Sequence, residues 1–597
     1  MELLVTYYKE RIARFEQELA SQKPELSRIY YTRVLVFLTS ILAFFFFFET
    51  FRIISFSLIP VVVIVFLLLL KRELSIKRRQ LFLQNLIVVN KNEIQLLHRN
   101  FEGVNEGIEF IDKQHHYLSD LDIFGRKSLF QLLNRTATYT GKMKLASWLR
   151  NPFYDKEEIL QRQEAIKELS QKPDWNHEFI AIGAENKEKG ADRNLINEWL
   201  NEENIFSTHF LKIACILLPL MTVAAIVFYF LGFIGSELFI FLFFVQLIIT
   251  GKYTKRINKI HDQLSRKFDS IEKYRQLIEL IETGKMNSPL LVKLSSQFDS
   301  NQKKASNCIA SLKKESDRLD NRMNIVIAIL LNGIFLWDIR VMRRIEEWRT
   351  TYKDDFNRWI ECIGELDALI SLGQYAHNNP SYAYPEVLSN EFVMEGMEMG
   401  HPLIAEQVLV KNDYAIAQTP KVDLLTGANM AGKSTFLRTV GVNLILGMIG
   451  APVCASRYRF SPVQLFTSLR TSDSLQENES FFYAELKRLH VLIELYETKI
   501  PVFFLLDEIL KGTNSKDQHS GSEALIRKLV RLNGVGIVAT HDVELSKLSM
   551  EYPDTVRNLC FNIHLQNDKL EFNYKLSEGV CSTMNASYLM KIMGIVD

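Results

Sequence analysis

Two blocks of the chain carry almost no polar side chain. From Val34 to Leu70 the only charges are Glu49 and Arg52, close together in the middle. That pattern reads as two apolar arms joined by a short polar turn. The second arm, Ile53 to Leu70, has no charge and fits the roughly 20 residues a helix needs to cross a bilayer core. The first arm draws on Ile29 to Phe51 to reach that length. The second block, Ile213 to Gly251, has Glu237 as its only charge and "GFIGSE" as its turn. Four membrane-spanning helices in two hairpins are therefore expected. The alternative, buried helices of a large soluble core, fits poorly with long uncharged runs repeated as hairpins on basic feet. A third apolar run, "IVIAILLNGIFLW" (Ile325 to Trp337), is too short to span and reads as a core helix.

Between these blocks the pattern is helical. "YYKERIARFEQELASQK" predicts an amphipathic helix within residues 1–30, ahead of the first hairpin at 31–72. Residues 73–209 and 252–390 are rich in helix formers and poor in Gly and Pro, and flank the second hairpin at 210–251. "KYTKRINKIHDQLSRKFDSIEKYRQLIELIE" predicts extended, solvated lever helices. "SLFQLLNRTATYTGKMKLASWLRNPF" (Ser128 to Phe153) reads as a packed helical core element. From about Glu391 to residue 597 short apolar runs alternate with helical ones, the texture of an α/β domain. The fold class is thus multidomain: an α-helical lever and core region with two transmembrane hairpins, followed by a C-terminal α/β domain.

Charge and cysteine content refine this. Lys and Arg number 71 against 70 Asp and Glu, a net charge of +1. Such a balance leaves nucleic-acid binding open, because a local basic face vanishes in the sum. Arg28, Arg33, Lys71, Arg72, Lys77, Arg78 and Arg79 flank the first hairpin, and Lys212, Lys252, Lys255 and Arg256 the second, whereas the turns hold only Arg52. The positive-inside rule then predicts a multi-pass membrane protein with both termini and every large domain facing the cytoplasm. Six scattered cysteines without a C-x-x-C pair argue against a zinc site or disulfide framework and for reduced thiols.

The chemistry concentrates in the C-terminal domain. "KVDLLTGANMAGKSTFLRTVG" places Gly427-x4-Gly432-Lys433-Ser434 between a strand-like and a helix-like run, which is the context a nucleotide phosphate loop requires. Backbone N–H groups freed by the glycines curl around phosphate oxygens, and the helix N-terminus adds partial positive charge. Lys433 reaches the terminal phosphates, Ser434 offers a hydroxyl to Mg²⁺, and Gly427, Gly432 and Thr435 complete the cradle. "PVFFLLDE" ends a strand run in Asp507 and Glu508. Read alone this is a strand-end acidic pair; beside a phosphate loop, Asp507 is the candidate metal ligand and Glu508 the group that acts on an attacking water. "GVGIVATHD" ends another strand run at His541, a candidate to sense the γ-phosphate or place the water. The expected catalytic set is Lys433, Glu508 and His541, with ATP and Mg²⁺ bound.

These segments, together with "SLRTSDSLQENESFFYAELKRL", "LLDEILKGTNSKDQHSGSEAL" and "VATHDVELSKL", resemble the ATPase domain of the MutS DNA mismatch-repair family. "DIFGRKSLFQLLNRTATYTGKMKLASWL" with "RQEAIKEL" resembles that family's helical core, and "ELDALISLGQYA" and "GHPLI" the junction into the ATPase. The resemblance covers roughly 120–170 and 320–597. It implies an ABC-type P-loop ATPase in which Asn429 helps hold the phosphates and Ser480 is presented to the nucleotide of a partner subunit. A homodimer with composite ATP sites follows, its closing segment being "YKLSEGVCSTMNASYLMKIMGI". DNA and other repair proteins are the implied partners.

The departures are equally specific. Nothing before Ser128 reads like the family's mismatch-reading domain with its Phe-x-Glu wedge, and the second hairpin falls where the family's levers carry a DNA clamp. Leu409 stands where members often have an aromatic that stacks on adenine, and the closing segment lacks the family's Ser-x-Gly. The expected function is a membrane-anchored MutS-like ATPase that binds DNA in an ATP-dependent manner, in repair or a related DNA transaction, without Phe-x-Glu mismatch reading. The alternative is a membrane-tethered, ATP-driven mechanical or scaffold protein with no nucleic-acid partner.

Overall fold

A computed structural model describes residues 2–48, 52–185, 196–265, 268–300, 303–389, 392–416, 422–428, 431–469, 481–497, 501–566 and 569–581. Glu49, Asn429, Ser480 and the closing segment beyond Cys581 lie outside the described residues.

The N-terminal sixth is a long antiparallel helical pair, α1 (Glu2–Phe48) and α2 (Arg52–Leu97). The amphipathic stretch and the first apolar arm are one unbroken helix. Phe37, Leu42, Phe45 and Phe46 on α1 and Val61, Ile64, Leu67 and Leu68 on α2 are exposed, whereas Tyr8, Leu83 and Leu86 at the other end of the pair are buried. A polar network holds that buried end. The Tyr8 hydroxyl donates to Asn378 Oδ1 (2.5 Å) and accepts from Gln374 Nε2 (2.9 Å). Asn378 Nδ2 donates to Glu93, whose carboxylate also pairs with Arg135 at 3.1 Å. Both ions of that pair are buried, so removing either strands the other in low dielectric.

The helical core follows with α3 (Leu129–Leu133), α4 (Tyr139–Arg150), α5 (Lys156–Ser170) and α6 (Pro173–Gly183). Every residue of α3 is buried, as "SLFQLLNRTATYT" implies. The second hairpin is α7 (His209–Phe230) and α8 (Glu237–Ser265), α8 running well past its apolar half into charged sequence. Then come α9 (Phe268–Thr283), α10 (Pro289–Ser296), α11 (Ala305–Leu319), α12 (Ile325–Phe335) and the 42-residue lever α13 (Trp337–Asn378). By length and composition, Glu2–Phe46, His209–Phe230 and Glu237–Asp262 are able to cross a membrane, and α12 with α13 forms a bent pair that passes the same test jointly. Inside the second hairpin Gln246 Nε2 donates to Thr222 Oγ1 at 2.7 Å, both buried, the kind of interhelical bond that satisfies polar groups among apolar helices.

One expectation is corrected here. "IVIAILLNGIFLW" is not a core helix: within α12 only Asn332 and Gly333 are buried, while Ile325 is 75% and Val326 64% exposed. Thirteen apolar residues look the same from sequence whether protein or something else covers them, and here the helix lies against α7 and α8 with its other side open.

Lever and core are fastened through Asp367 on α13. Its buried carboxylate accepts from the N–H groups of Ala137 (3.0 Å) and Thr138 (2.8 Å) and from Thr138 Oγ1 (2.7 Å). Thr138 in turn caps α4 through Gly141 N, so one acid serves the positive end of a helix. α13 ends at Asn378, and from there the chain passes into the α/β domain.

That domain has strands β1 (Glu386–Val387), β2 (Met394–Met399), β3 (Asn412–Ile416), β4 (Val422–Thr426), β5 (Arg457–Phe460), β6 (Gln464–Ser468), β7 (Val502–Asp507), β8 (Val535–Thr540), β9 (Val556–Gln566) and β10 (Lys569–Glu578). Among the described residues they form a six-stranded sheet in the order β10-β9-β4-β8-β7-β6 and a four-stranded sheet in the order β1-β5-β2-β3. β9, β4, β8, β7 and β6 are mutually parallel. β4 and β8 are buried along their whole length, as a sheet covered on both faces requires. The buried charge of Asp423 on β4 is met by Arg557 (2.6 Å) and the Tyr414 hydroxyl (2.9 Å).

Candidate functional site

Parallel register brings the site together. Asp507 pairs with Ala539, and Thr540 with Thr426, so β7, β8 and β4 end at one edge of the sheet. The residues just beyond those ends are Glu508, His541 and Gly427, and the crevice beyond the carboxyl ends of parallel strands is the usual place for a ligand in such sheets. Helix α14 (Lys433–Met448) starts at the same edge, its first turn preceded by Gly432 in the left-handed region (φ 102°). A Cβ on Gly432 would also meet the ring of Tyr574 at 3.1 Å, so glycine is required there on two counts.

These groups surround a cavity of about 620 Å³ lined by Gly432, Lys433, Ser434, Thr435, Asp507 and Glu508, with Ile404, Val408 and Leu409 forming an apolar side. Lys433 Nζ donates to the carbonyl of Gly427 and lies 3.7 Å from Glu508 Oε1. Ser434 Oγ donates to Asp507 Oδ2, while Asp507 Oδ1 is buried without a partner. Glu508 Oε2 is 2.5 Å from Lys511 Nζ and 3.7 Å from His541 Nδ1. Six of the expected residues, Gly432, Lys433, Ser434, Thr435, Asp507 and Glu508, thus face one space. Gly427 and the half-exposed His541 stand at its rim; Asn429 and Ser480 lie outside the described residues.

The electrostatics separate the two acids. Burial pushes the Asp507 carboxyl above its ordinary range, only partly opposed by the Ser434 hydrogen bond. Burial acts the same way on Glu508, but Lys511, Lys433 and His541 outweigh it and hold that carboxyl below its ordinary range. Desolvation lowers Lys433, against the pull of Glu508 and Asp507. Glu508 sits at φ 47° and Leu510 at φ 61°, unfavourable for side chains with a Cβ and characteristic of functional corners. The turn is held by Glu508 N donating to Ala539 O (2.8 Å) and Leu510 N to Glu485 Oε1 (2.6 Å).

A divalent cation fits this donor set. The orphaned Asp507 Oδ1 and the Ser434 hydroxyl offer two hard oxygens, and the described residues hold no cluster of three or more His, Cys, Asp or Glu around a metal position. Mg²⁺ is typically held in this way, by one or two protein oxygens and a phosphate-bearing substrate.

Several participants escaped sequence reading. Tyr574 reaches the cavity from β10, and its carbonyl accepts from Asn412 Nδ2 at 3.0 Å. Asp120, in the loop before α3, accepts from Thr467 Oγ1 (2.7 Å), Leu469 N (3.2 Å) and Arg488 (2.9 Å). Arg438 on α14 donates to the Asp120 carbonyl at 3.0 Å. The helical core is therefore clamped to α14 through the Asp120 carbonyl and to α15 (Phe481–Glu497) through its carboxylate, and no local motif announces it.

The chain matches MutS domain III over residues 115–373 and MutS domain V over residues 423–596. The chain belongs to the MutS family. The domain III match runs straight through the second hairpin, and the domain V match contains Gly427, Gly432, Lys433, Ser434, Thr435, Asp507, Glu508 and His541. Over 236 residues this MutS-family protein is 30% identical to MutS protein homolog 4 of Mus musculus, covering 38% of this chain and 24% of that protein. Over 241 residues it is 30% identical to the DNA mismatch repair protein MutS of Thermotoga maritima, covering 40% of this chain and 30% of that protein. The matched part thus spans about a quarter to a third of the length of these relatives. A helical core followed by a C-terminal α/β domain is what domains III and V together describe, and a mismatch-repair-related role is the family's.

Proposed function

We propose that this protein is a membrane-anchored MutS-type ATPase that couples ATP binding and hydrolysis to DNA binding. The observation that carries the reading is the meeting of Lys433, Ser434, Asp507 and Glu508 in one cavity whose phosphate-loop helix is clamped to the helical core through Asp120. Bound MgATP supplies the transferable phosphoryl group with its charge partly neutralised. Lys433 leaves the Gly427 carbonyl to engage phosphate oxygens, and backbone N–H groups at the start of α14 point at the same anion. Asp507 and Ser434 hold the cation between them. Glu508, kept ionised by Lys511 and Lys433, accepts a proton from or orients the attacking water, with His541 beside it. Ser480, from a second copy, completes each site, so closure of the dimer is tied to ATP.

The apolar arms of α1 and α2 and of α7 and α8 are the membrane anchor, with the other domains in the cytoplasm. DNA binding is tested by mobility shifts of the detergent-solubilised full chain with an ATP analogue across a salt series, since phosphate contacts weaken steeply with salt. No binding to duplex, junction or single strand at low salt overturns that part of the reading. The dimer is tested by light scattering: a strict monomer with full turnover overturns the composite site.

A second reading, a membrane machine without a nucleic-acid partner, draws support from the join between lever and hairpin. Pro219 in α7 has no N–H to offer the Cys215 carbonyl, and Arg340 on α13 donates to that carbonyl instead, Nε at 2.9 Å. The lever is therefore joined directly to the second hairpin. DNA affinity that survives deletion of both hairpins favours the first reading; a full chain that hydrolyses ATP but binds no DNA favours the second.

A further inference from the structure

Helix α12 is an apolar element left over from the site and the hairpins. It has no charged residue from Asn324 to Trp337, and Ile325, Val326, Ile329 and Leu330 are 47 to 75% exposed. Patches of that size on a soluble surface mark an interaction site. We infer that α12 is a half-span, embedded in the bilayer beside the second hairpin and bathed by lipid acyl chains. This rests on the membrane reading above and extends it to a segment too short to cross.

Three observations select lipid as the occupant. First, the exposed side of α12 continues a surface that the hairpin already presents. A Cβ on Gly333 would collide with the ring of Phe243 on α8, so the two helices meet closely, and the hairpin exposes apolar side chains of its own, Ile216 and Phe244 among them. Second, the segments before and after α12 are tied to each other. Trp337 Nε1 donates to the Arg318 carbonyl at 3.0 Å, and Arg322 pairs with Asp338 at 3.6 Å. The segments on either side of α12 are therefore fastened to each other, and its 11 residues measure about 16 Å, half of a hydrocarbon core and too short to cross one. Third, the ends are built to stay polar. Asn324 caps the N-terminus through Val326 N and Ile327 N. At the other end Leu336, at φ 49°, turns the chain 78° into α13 while Asn332 Oδ1 accepts from Asp338 N at 2.9 Å. Non-helical backbone at a membrane is tolerated where protein groups satisfy it in this way. Arg318 and Arg322 precede the helix and Arg340, Arg343 and Arg344 follow it, the flanks expected on a cytoplasmic side.

The consequence is mechanical. α13 begins at α12 and runs to Asn378 beside the α/β domain, so one rigid lever joins the half-span to the ATPase end of the molecule.

The test uses the full-length chain in phosphatidylethanolamine and phosphatidylglycerol vesicles. The native cysteines are all buried, so the wild-type chain serves as the unlabelled background. An environment-sensitive fluorophore is placed on V326C, on I329C one turn along the same face, and on I216C in the hairpin. Brominated lipids are expected to remove most of the emission at 326 and 329, as at 216, while aqueous iodide leaves it intact. Lipid quenching at 216 with iodide quenching at 326 and 329 overturns the half-span and leaves the anchor standing. Protection at 326 and 329 from both quenchers overturns lipid as occupant in favour of a protein contact. Iodide quenching at all three positions overturns the membrane reading itself.

Discussion

The hydroxyl of Ser434 donates directly to the carboxylate of Asp507, joining the first turn of α14 to the end of β7. Two groups that would share a cation thus share a proton, and the remaining Asp507 oxygen is buried without a partner. Replacing Asp507 by Asn is expected to raise the Mg²⁺ concentration needed for half-maximal ATP hydrolysis by more than about tenfold. The same titration in wild type and D507N checks this, and an unchanged midpoint removes Asp507 from the metal site.

In the proposed mechanism hydrolysis depends on Lys433 and Glu508. K433A and E508A are each expected to lower phosphate release by about 10²- to 10³-fold, the cost of removing one preorganised charged group from a reacting centre. E508Q is expected to retain nucleotide binding, because Lys433 and the loop N–H groups remain. Equal phosphate release from the variants and wild type refutes the assignment.

For the proposed ATPase, the two acids predict an asymmetric pH response. The Asp507 carboxyl is raised by burial, so on acidification its protonation competes with the cation earlier than an ordinary carboxylate would. Glu508 is held low and stays ionised further into acid. The acid limb of the ATPase profile is therefore expected to move to lower pH as Mg²⁺ is increased. A limb that ignores Mg²⁺ assigns it to Glu508 instead.

Asp367 links stability to pH in the opposite direction to an exposed salt-bridged acid. Burial raises its carboxyl to about 6, although Thr138 and Ala137 pull it down. A folded value above the unfolded one means that its contribution is complete below about pH 4. That contribution is lost as pH rises through about 6. In D367N this component of the pH dependence should vanish. D367A, which leaves the N–H groups of Ala137 and Thr138 unpaired, is expected to cost about 2–4 kcal/mol in thermal unfolding.

Arg340 and Pro219 form a pair that a double-mutant cycle can isolate. R340M should destabilise by about 1–2 kcal/mol, because the Cys215 carbonyl loses its donor. In a P219A background residue 219 supplies its own N–H, and the added cost of R340M should fall below about 0.5 kcal/mol. Additive effects, read as thermal shifts in detergent, would show that the Arg340 contact is incidental.

The sequence by itself determined whatever is written in local chemistry. The phosphate-loop spacing, the strand runs ending in Asp507-Glu508 and in Thr540-His541, and the uncharged arms are each fixed by residues a few positions apart. Backbone propensity and hydrophobic period act at that range. Only the tertiary structure decided what faces what. Parallel register set Asp507 beside Ala539 and so put Glu508 within reach of His541 and Lys433. Asp120 and Asp367 became fasteners because their partners, Thr467, Arg488 and Thr138, lie hundreds of positions away. For α12 neither outcome was written in the chain: an apolar run of that length is compatible with burial in protein or contact with lipid. Which face protein covers was decided when Gly333 met Phe243 and left the other face open, since burial is a property of neighbours and not of the residues buried.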